Sequence, residues 1–267
     1  MSETLQITDA DLLDQTAIAV QEAGSALLER FGEVVGYQTR EELMAALVAN
    51  DDAALAILRP RLTRLRPDAG WVEDELDGGA LPAGEWWVVD PAEGNVNHLH
   101  ALPEWAVTAT LVRDNRPVLT AVHLPLTGQT YTALAGAGAH LDGRPLRVSR
   151  TADLGLGIVA TSQARPDEDE EVVRRVGSSI TAMLFDALVV RTSVPATLHL
   201  LNVAAGRIDV FWQFAGARAD LLPGALLVTE AGGRISDAGG RPWTPESESF
   251  LAAAPGVHAG AVATLSR

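Results

Sequence analysis

The chain has 267 residues, 20 basic and 35 acidic side chains, and a formal charge of −15. That length suits one large domain or two tightly joined halves, and that charge argues against a nucleic-acid partner, because phosphate backbones are held by clustered cations. Every basic residue is arginine and there is no cysteine. Lysine Schiff bases, Walker-type phosphate loops, disulfides, thiolate nucleophiles and cysteine-ligated zinc or iron–sulfur centres are therefore excluded.

The first residues carry no basic region followed by an apolar stretch and cleavage site. No apolar run approaches the roughly 18–20 residues of a membrane span, since even Ile180 to Val190 contains Asp186. A soluble cytoplasmic protein with no membrane partner is expected. At this length a fold buries roughly three quarters of its unfolded surface, and a hydrophobic content of 47% supplies the core.

In chain order, Leu13, Ala17, Val20, Leu27, Leu28 and Phe31 recur at helical spacings, with Thr8 and Asp11 placed for a capping box. Leu55, Leu58, Leu62 and Leu65 predict a second helix, which Pro60 should bend or interrupt. From Gly70 to Ser149 the pattern changes to short strands: Trp71 to Glu73, Trp86 to Val89, Ala106 to Val112, Val118 to Leu124, Thr130 to Leu134 and Leu146 to Val148. Thr127-Gly128 and Asp142-Gly143 are turn signals. Beyond residue 150 strands and helices alternate. They run as a strand from Gly157 to Thr161, a helix from about Asp167, a strand at Val189 to Arg191 and a helix through Leu200. A strand from Ile208 to Trp212, a helix from Asp220 to Ala231, and a closing strand and helix complete the chain.

Several tempting features have plain explanations. The acidic run Asp167 to Glu171 complements a helix start and faces water. Gly136-Ala-Gly138 lacks the third glycine of a dinucleotide fingerprint. There is no G-x-S-x-G elbow, and the six histidines show no zinc spacing.

Three separated carboxylate clusters remain, each at a strand end or helix start: Glu73-Asp74-Glu75, Asp90 with Glu93, and Asp220. Acids converging in a cleft without lysine invite a divalent cation, and all-oxygen ligation favours magnesium or manganese. Gly94 and Asn95 follow the second cluster, where a helix start would offer backbone N–H groups to a phosphate. From spacing alone a plainer reading stays open, in which Asp90, Glu93 and Asp220 are ordinary caps and surface acids.

The order of these residues adds a resemblance. Asp90-Pro-Ala-Glu93-Gly94-Asn95-Val-Asn97-x-x-His100-x-x-Pro103-x-x-Ala106-Val107-Thr108 resembles the D-P-[IL]-D-G-T-x-N-[FY]-x-H-x-x-P-x-[FY]-[AC]-V-[ST] segment of the inositol monophosphatase family. Its second signature, W-D-x-A-[AG]-x-x-x-[IL]-[VL]-x-E-A-G-G, is similar to Ala219-Asp220 through Glu230-Ala231-Gly232-Gly233, and its G-E-E element to Val72-Glu73-Asp74. The resemblance implies an α+β fold, a layered αβαβα sandwich of the inositol monophosphatase and fructose-1,6-bisphosphatase type. In it an N-terminal half (1–150) and a C-terminal half (151–267) form one unit, usually as a homodimer. It also implies magnesium-dependent hydrolysis of a small phosphorylated metabolite, with manganese as a substitute. By position, Asp74 or Glu73, Asp90, the Ala92 carbonyl, Glu93 and Asp220 would hold metal, and Gly94 and Asn95 amides would bind phosphate. Asp51 would act with the residue at Asn95 to orient the attacking water.

The departures from the family pattern fall on the chemistry. Glu93 stands for an aspartate, Asn95 for a threonine whose hydroxyl would polarise the water, Asp74 for a glutamate and Ala219 for a tryptophan. On the substrate side Val194-Pro195-Ala196 stands for G-[ST]-A and Gln213 for an acid, while Arg191 and Arg218 remain as phosphate or hydroxyl partners. Three readings follow: a phosphomonoesterase with a modified site, a repurposed or catalytically impaired homologue that binds a ligand or partner or runs a different reaction in the same cleft, or a nucleotide or sugar bisphosphate phosphatase of the wider superfamily. Restoring an aspartate at position 93 with a threonine at position 95 is expected to raise activity if the first holds.

Overall fold

Thr8 opens the first helix as its spacing with Asp11 predicts. Its hydroxyl accepts the Asp11 amide at 3.1 Å and donates to the Asp11 carboxylate at 2.6 Å, starting α1 (Asp9–Leu28). The structure, a computed structural model, describes residues 7–32, 36–73, 79–164, 168–214 and 218–267, with the Arg218 side chain excepted. The buried stripe of α1 is Leu12, Thr16, Ala19, Val20, Ala23 and Leu27, rotated by about one residue from the predicted face, so that Leu28 is exposed.

α2 (Arg40–Leu65) begins well before its leucine spacing becomes visible, capped by Thr39, whose hydroxyl accepts the Glu42 amide at 3.2 Å. It continues through Pro60 instead of stopping there. Pro60 and Ala56 are both exposed, so water can satisfy the Ala56 carbonyl that proline leaves without an N–H.

β1 (Gly70–Trp71), β2 (Glu85–Glu93), β3 (Ala106–Arg113), β4 (Arg116–Leu124), β5 (Gln129–Leu134), β6 (Gly138–Leu141) and β7 (Arg144–Pro145) form one sheet in chain order, with α3 (Asn95–Leu99) between β2 and β3. Its pairs are antiparallel except β1 with β2. Asp142 and Gly143, both at positive φ, join β6 to β7, as the turn signal predicts. Leu146 to Val148 is not the predicted strand. Leu146 N–H still bonds the Ala139 carbonyl, but Val148 N–H bonds Ala231, because the chain is by then crossing to the second half.

β8 (Ile158–Thr161), α4 (Glu170–Asp186), β9 (Val189–Thr192), α5 (Ala196–Ala204), β10 (Val210–Phe214), α6 (Arg218–Glu230), β11 (Arg234–Ser236), β12 (Ser249–Ala253) and α7 (His258–Leu265) follow. The second sheet has the order β11-β12-β10-β8-β9, so the predicted single closing strand is two.

Strand alternation builds the layers. On the first sheet Val107, Ala109, Leu111 and Leu119 pack against α1 and α2, while Ala106, Val122 and Tyr131 face α5 and α6. On the second, Phe211 and Phe250 face α5 and α6, while Trp212 and Leu251 turn to α4 and α7. The result is the αβαβα sandwich. α6, enclosed by sheets on both sides, buries Leu221 through Val228 all round. Gly224 lets α5 approach closely, for a Cβ there would sit 2.3 Å from the Leu200 side chain. Among the described residues no helix is long and apolar enough to cross a membrane.

Candidate active site

The ladder between β2 and β3 shifts register between Asp90 and Glu93. Such a bulge re-aims side chains at the end of a strand. Asp90 is pinned by its own turn, one carboxylate oxygen accepting the Ala92 N–H at 3.0 Å. Gly94 then turns the chain into α3 at φ +79°, where a Cβ would lie 2.6 Å from the Glu104 carbonyl oxygen. Asp220, in the first turn of α6, meets this segment from the other half. Oxygens of Asp90, Glu93 and Asp220 all lie within 4.8 Å of one another, with Asp90 and Glu93 buried. Thr197 of α5 closes the group, its hydroxyl 2.6 Å from Glu93 Oε2 and 2.9 Å from the Asp220 carbonyl oxygen.

Beside these acids, α2 delivers Asp51. Asn95 Nδ2 donates to Asp51 Oδ1 at 2.8 Å and to the Leu47 carbonyl at 3.0 Å, and Asn95 Oδ1 accepts from the buried Asn50 at 2.9 Å. Burial pushes the Asp51 carboxyl up to about 6, the Asn95 bond opposing and the neighbouring Asp52 charge adding to the rise. A cavity of about 160 Å³ opens on the other side, lined by Glu93, Ser162, Gln163, Pro195, Ala196, Gln213 and Asp220, among others. The Gln213 carboxamide oxygen accepts the Ser162 hydroxyl at 2.8 Å. Asn97 ties the wall together, its amide donating to the Glu104 and Val194 carbonyls at 2.8 Å each.

Residues 9–267 match the sequence model of the inositol monophosphatase family. The chain belongs to that family. It is 34% identical over 238 residues to an inositol-1-monophosphatase of Rhizobium meliloti, covering 86% of this chain and 88% of that one. It is 33% identical over 185 residues to a protein named Nus factor SuhB from Pseudomonas aeruginosa, covering 69% and 67%. The solved structure of the Thermotoga maritima IMPase superposes with a TM-score of 0.80 at 25% identity, covering 96% and 97%.

Against the family pattern, the fold brings Asp90, Glu93 and Asp220 together and joins Asp51 to Asn95, with Ala92 and Gly94 on either side of Glu93 in the same segment and Ala196 and Gln213 lining the neighbouring cavity. Two expected residues are not brought in. Glu73 is exposed and forms an ion pair with Arg59 at 2.5 Å instead of joining the three acids. Arg191 is exposed on β9, at the edge of the second sheet, and does not line the cavity. Asp74 and the Arg218 side chain lie outside the described residues.

Sequence reasoning missed Thr197 and Asn50. A threonine within the apolar run of α5 and an asparagine beside Asp51 were the available signals; the structure buries both, and a buried polar group needs a partner. The family is a metal-dependent phosphatase family, and the donor set here agrees with that. Three carboxylates, two of them buried, offer only hard oxygen ligands, which suit magnesium, manganese or calcium and not a soft thiophilic ion.

Proposed function

We propose that the protein hydrolyses a small phosphate monoester with the help of magnesium or manganese. The observation that carries this reading is the convergence of Asp90, Glu93 and Asp220 on one side of a small cavity, with the Asp51–Asn95 pair alongside. Asp90, Glu93, Asp220 and the Ala92 carbonyl would hold the metal, with Asp74 as a further ligand. When bound, the metal neutralises charge on the phosphoryl oxygens and acidifies water.

The chain's own groups do the rest. The first turn of α3 presents backbone N–H groups at Gly94 and Asn95 that lack intrahelical acceptors and can hold phosphate oxygens. Asp51 orients the attacking water and removes its proton. Ala196 and Gln213 bound the space left for the alcohol, which at about 160 Å³ suits a small polyol, sugar or amino alcohol. The two halves act as one unit, since Asp51, Asp90 and Glu93 come from the first and Thr197 and Asp220 from the second. Glu93 and Asn95, the two departures most damaging on paper, are each seated in dedicated hydrogen bonds. That supports a rebuilt site over a decayed one or a cleft kept only for a partner.

The working form is a homodimer. Leu184, Phe185, Leu188 and Val189 leave an exposed apolar patch where α4 meets the edge strand β9, and Phe185 is 84% exposed. A second copy covering it would remove both the apolar surface and the open strand edge from water.

The test is phosphate release with and without magnesium across inositol, sugar, amino-alcohol and nucleotide monophosphates, with Asp90→Asn as the blank. Turnover that needs both magnesium and Asp90 is expected. Silence across the panel from folded protein refutes the reading.

A further inference from the structure

Asp51 sits at the end of a hydrogen-bond chain that begins at the surface. Arg30 Nε donates to Asn50 Oδ1 at 2.9 Å. Asn50 Nδ2 reaches Asn95 Oδ1 at 2.9 Å and His98 Nδ1 at 3.0 Å, and Asn95 Nδ2 reaches Asp51 Oδ1 at 2.8 Å. His98 Nε2 lies 2.9 Å from the Leu27 carbonyl oxygen.

Three members of this chain can act in only one sense. A guanidinium donates and never accepts, while the Leu27 and Leu47 carbonyls accept and never donate. Asn50 must therefore turn its oxygen to Arg30 and both N–H bonds to Asn95 and His98. Asn95 must turn its oxygen to Asn50 and both N–H bonds to Asp51 and Leu47. His98 must carry its proton on Nε2 and keep the Nδ1 lone pair for Asn50. Burial, which pushes the His98 imidazole below the usual histidine range, agrees with that neutral form. Flipping either carboxamide sets oxygen against oxygen. The chain thus runs one way, from a cation through two amides to a carboxylate, an arrangement in which each bond polarises the next.

We propose that Asn50, fixed by Arg30 and His98, is a positioning residue that locks the Asn95 carboxamide as a donor to Asp51, leaving Asp51 Oδ2 to take the proton of the attacking water directly. This rests on the phosphatase reading above. Asp51 Oδ2 makes no hydrogen bond among the described residues, so it is the oxygen available to a water. In the step, the water oxygen bonds to phosphorus and one water proton passes to Asp51 Oδ2. The phosphorus–oxygen bond to the alcohol breaks with its electron pair on the leaving oxygen, which takes a proton from solvent, and Asp51 later returns its own proton to solvent. Asn95 does not stand in for a threonine hydroxyl in this scheme. It holds the base, and no hydroxyl lies between base and water.

The test uses Asn50→Asp, Arg30→Met and Arg30→Lys in the full chain. Arg30 is exposed, so its variants disturb no apolar packing, and what Arg30→Met removes is the bond to the buried Asn50. Asn50→Asp puts an acceptor opposite Asn95 Oδ1 and His98 Nδ1, and kcat is expected to fall about a hundredfold with KM within about twofold. Arg30→Met is expected to cost about tenfold in kcat, and Arg30→Lys to recover most of it. Nuclear magnetic resonance supplies the readout independent of turnover. The two Asn95 side-chain amide protons should exchange slowly in the parent protein and faster in Arg30→Met, and the His98 Nδ1 signal should move in Asn50→Asp. Unchanged kcat in both Asn50→Asp and Arg30→Met, or a loss confined to KM, overturns the positioning role. If the parent protein releases no phosphate at all, the phosphatase reading fails, and equal amide exchange in parent and Arg30→Met then removes the lock as well.

Discussion

Removing the Thr197 hydroxyl tests the acidic cluster with little change in shape. Thr197 is fully buried and valine nearly matches its volume, so Thr197→Val deletes the 2.6 Å bond to Glu93 and the 2.9 Å contact with the Asp220 carbonyl while keeping the packing. A hydrogen bond to a charged group contributes about 1.5–3 kcal/mol. Outer partners of metal ligands typically account for about 10–100-fold in metal affinity, or about 1.4–2.8 kcal/mol. The two ranges agree near 2 kcal/mol, which corresponds to about thirtyfold weaker binding. At a metal concentration of about 100 times the parent Kd, bound metal stabilises the parent by about 2.7 kcal/mol and the variant by about 0.9 kcal/mol. For a domain of this size that is a rise in melting temperature of about 5–10 °C against about 2–4 °C. Thermal melts across a magnesium or manganese titration measure the difference, with Thr197→Ser as the control that keeps the hydroxyl. Coincident titration curves for Thr197→Val and the parent would refute the idea that this hydroxyl aims Glu93 at the metal.

Three other outcomes follow from the same geometry. Restoring the family residues with Glu93→Asp and Asn95→Thr, which the sequence alone expects to raise activity, should instead lower magnesium-dependent phosphate release. The shorter acid draws back from Thr197, and a threonine in place of Asn95 would leave the Asn50 amide and the Leu47 carbonyl short of partners; a gain in rate contradicts this. Asp51→Asn should abolish turnover yet raise the melting temperature at pH 8 and not at pH 4. The folded state holds the Asp51 proton more tightly, to about 6 against 3.8 in the unfolded chain, so ionisation costs stability as pH rises through that interval; equal gains at both pH values rule it out. If the proposed dimer forms through the Phe185 face, the parent should sediment as a dimer and Phe185→Glu as a monomer; a monomeric parent refutes the dimer, and a dimeric variant places the interface elsewhere.

What could be read from the sequence was set by range. The Thr8 cap and the Asp142-Gly143 turn involve groups within a few residues of one another, and both are found where the spacing puts them. Pro60 shows the limit of a local rule, for its cost depends on whether water reaches the Ala56 carbonyl, which only the tertiary exposure decides. Leu146 to Val148 has strand composition, but its hydrogen bonds are divided between β6 and the end of α6. At the site, motif order located Asp90, Glu93, Gly94, Asn95 and Asp220, whereas their supports Thr197 and Asn50 act across sequence separations of 104 and 45 residues. The same blindness hid the hydrogen bonds that seat Glu93 and Asn95. A substitution read without its partner registers as damage.

The enclosure of α6 between two sheets has a mechanical side. Asp220 rides on the helix that fills the interlayer space, while Asp90 and Glu93 end a strand of the first sheet, far away along the chain. A cation gripped by all three would act as a reversible cross-link, closing a long loop and lowering the entropy of the unfolded chain as a disulfide would. A chain without a single cysteine would then own one staple, present only when its ion is bound. Chelation would loosen the seam between the layers before it touched either sheet, making resistance to proteolysis follow the ion supply.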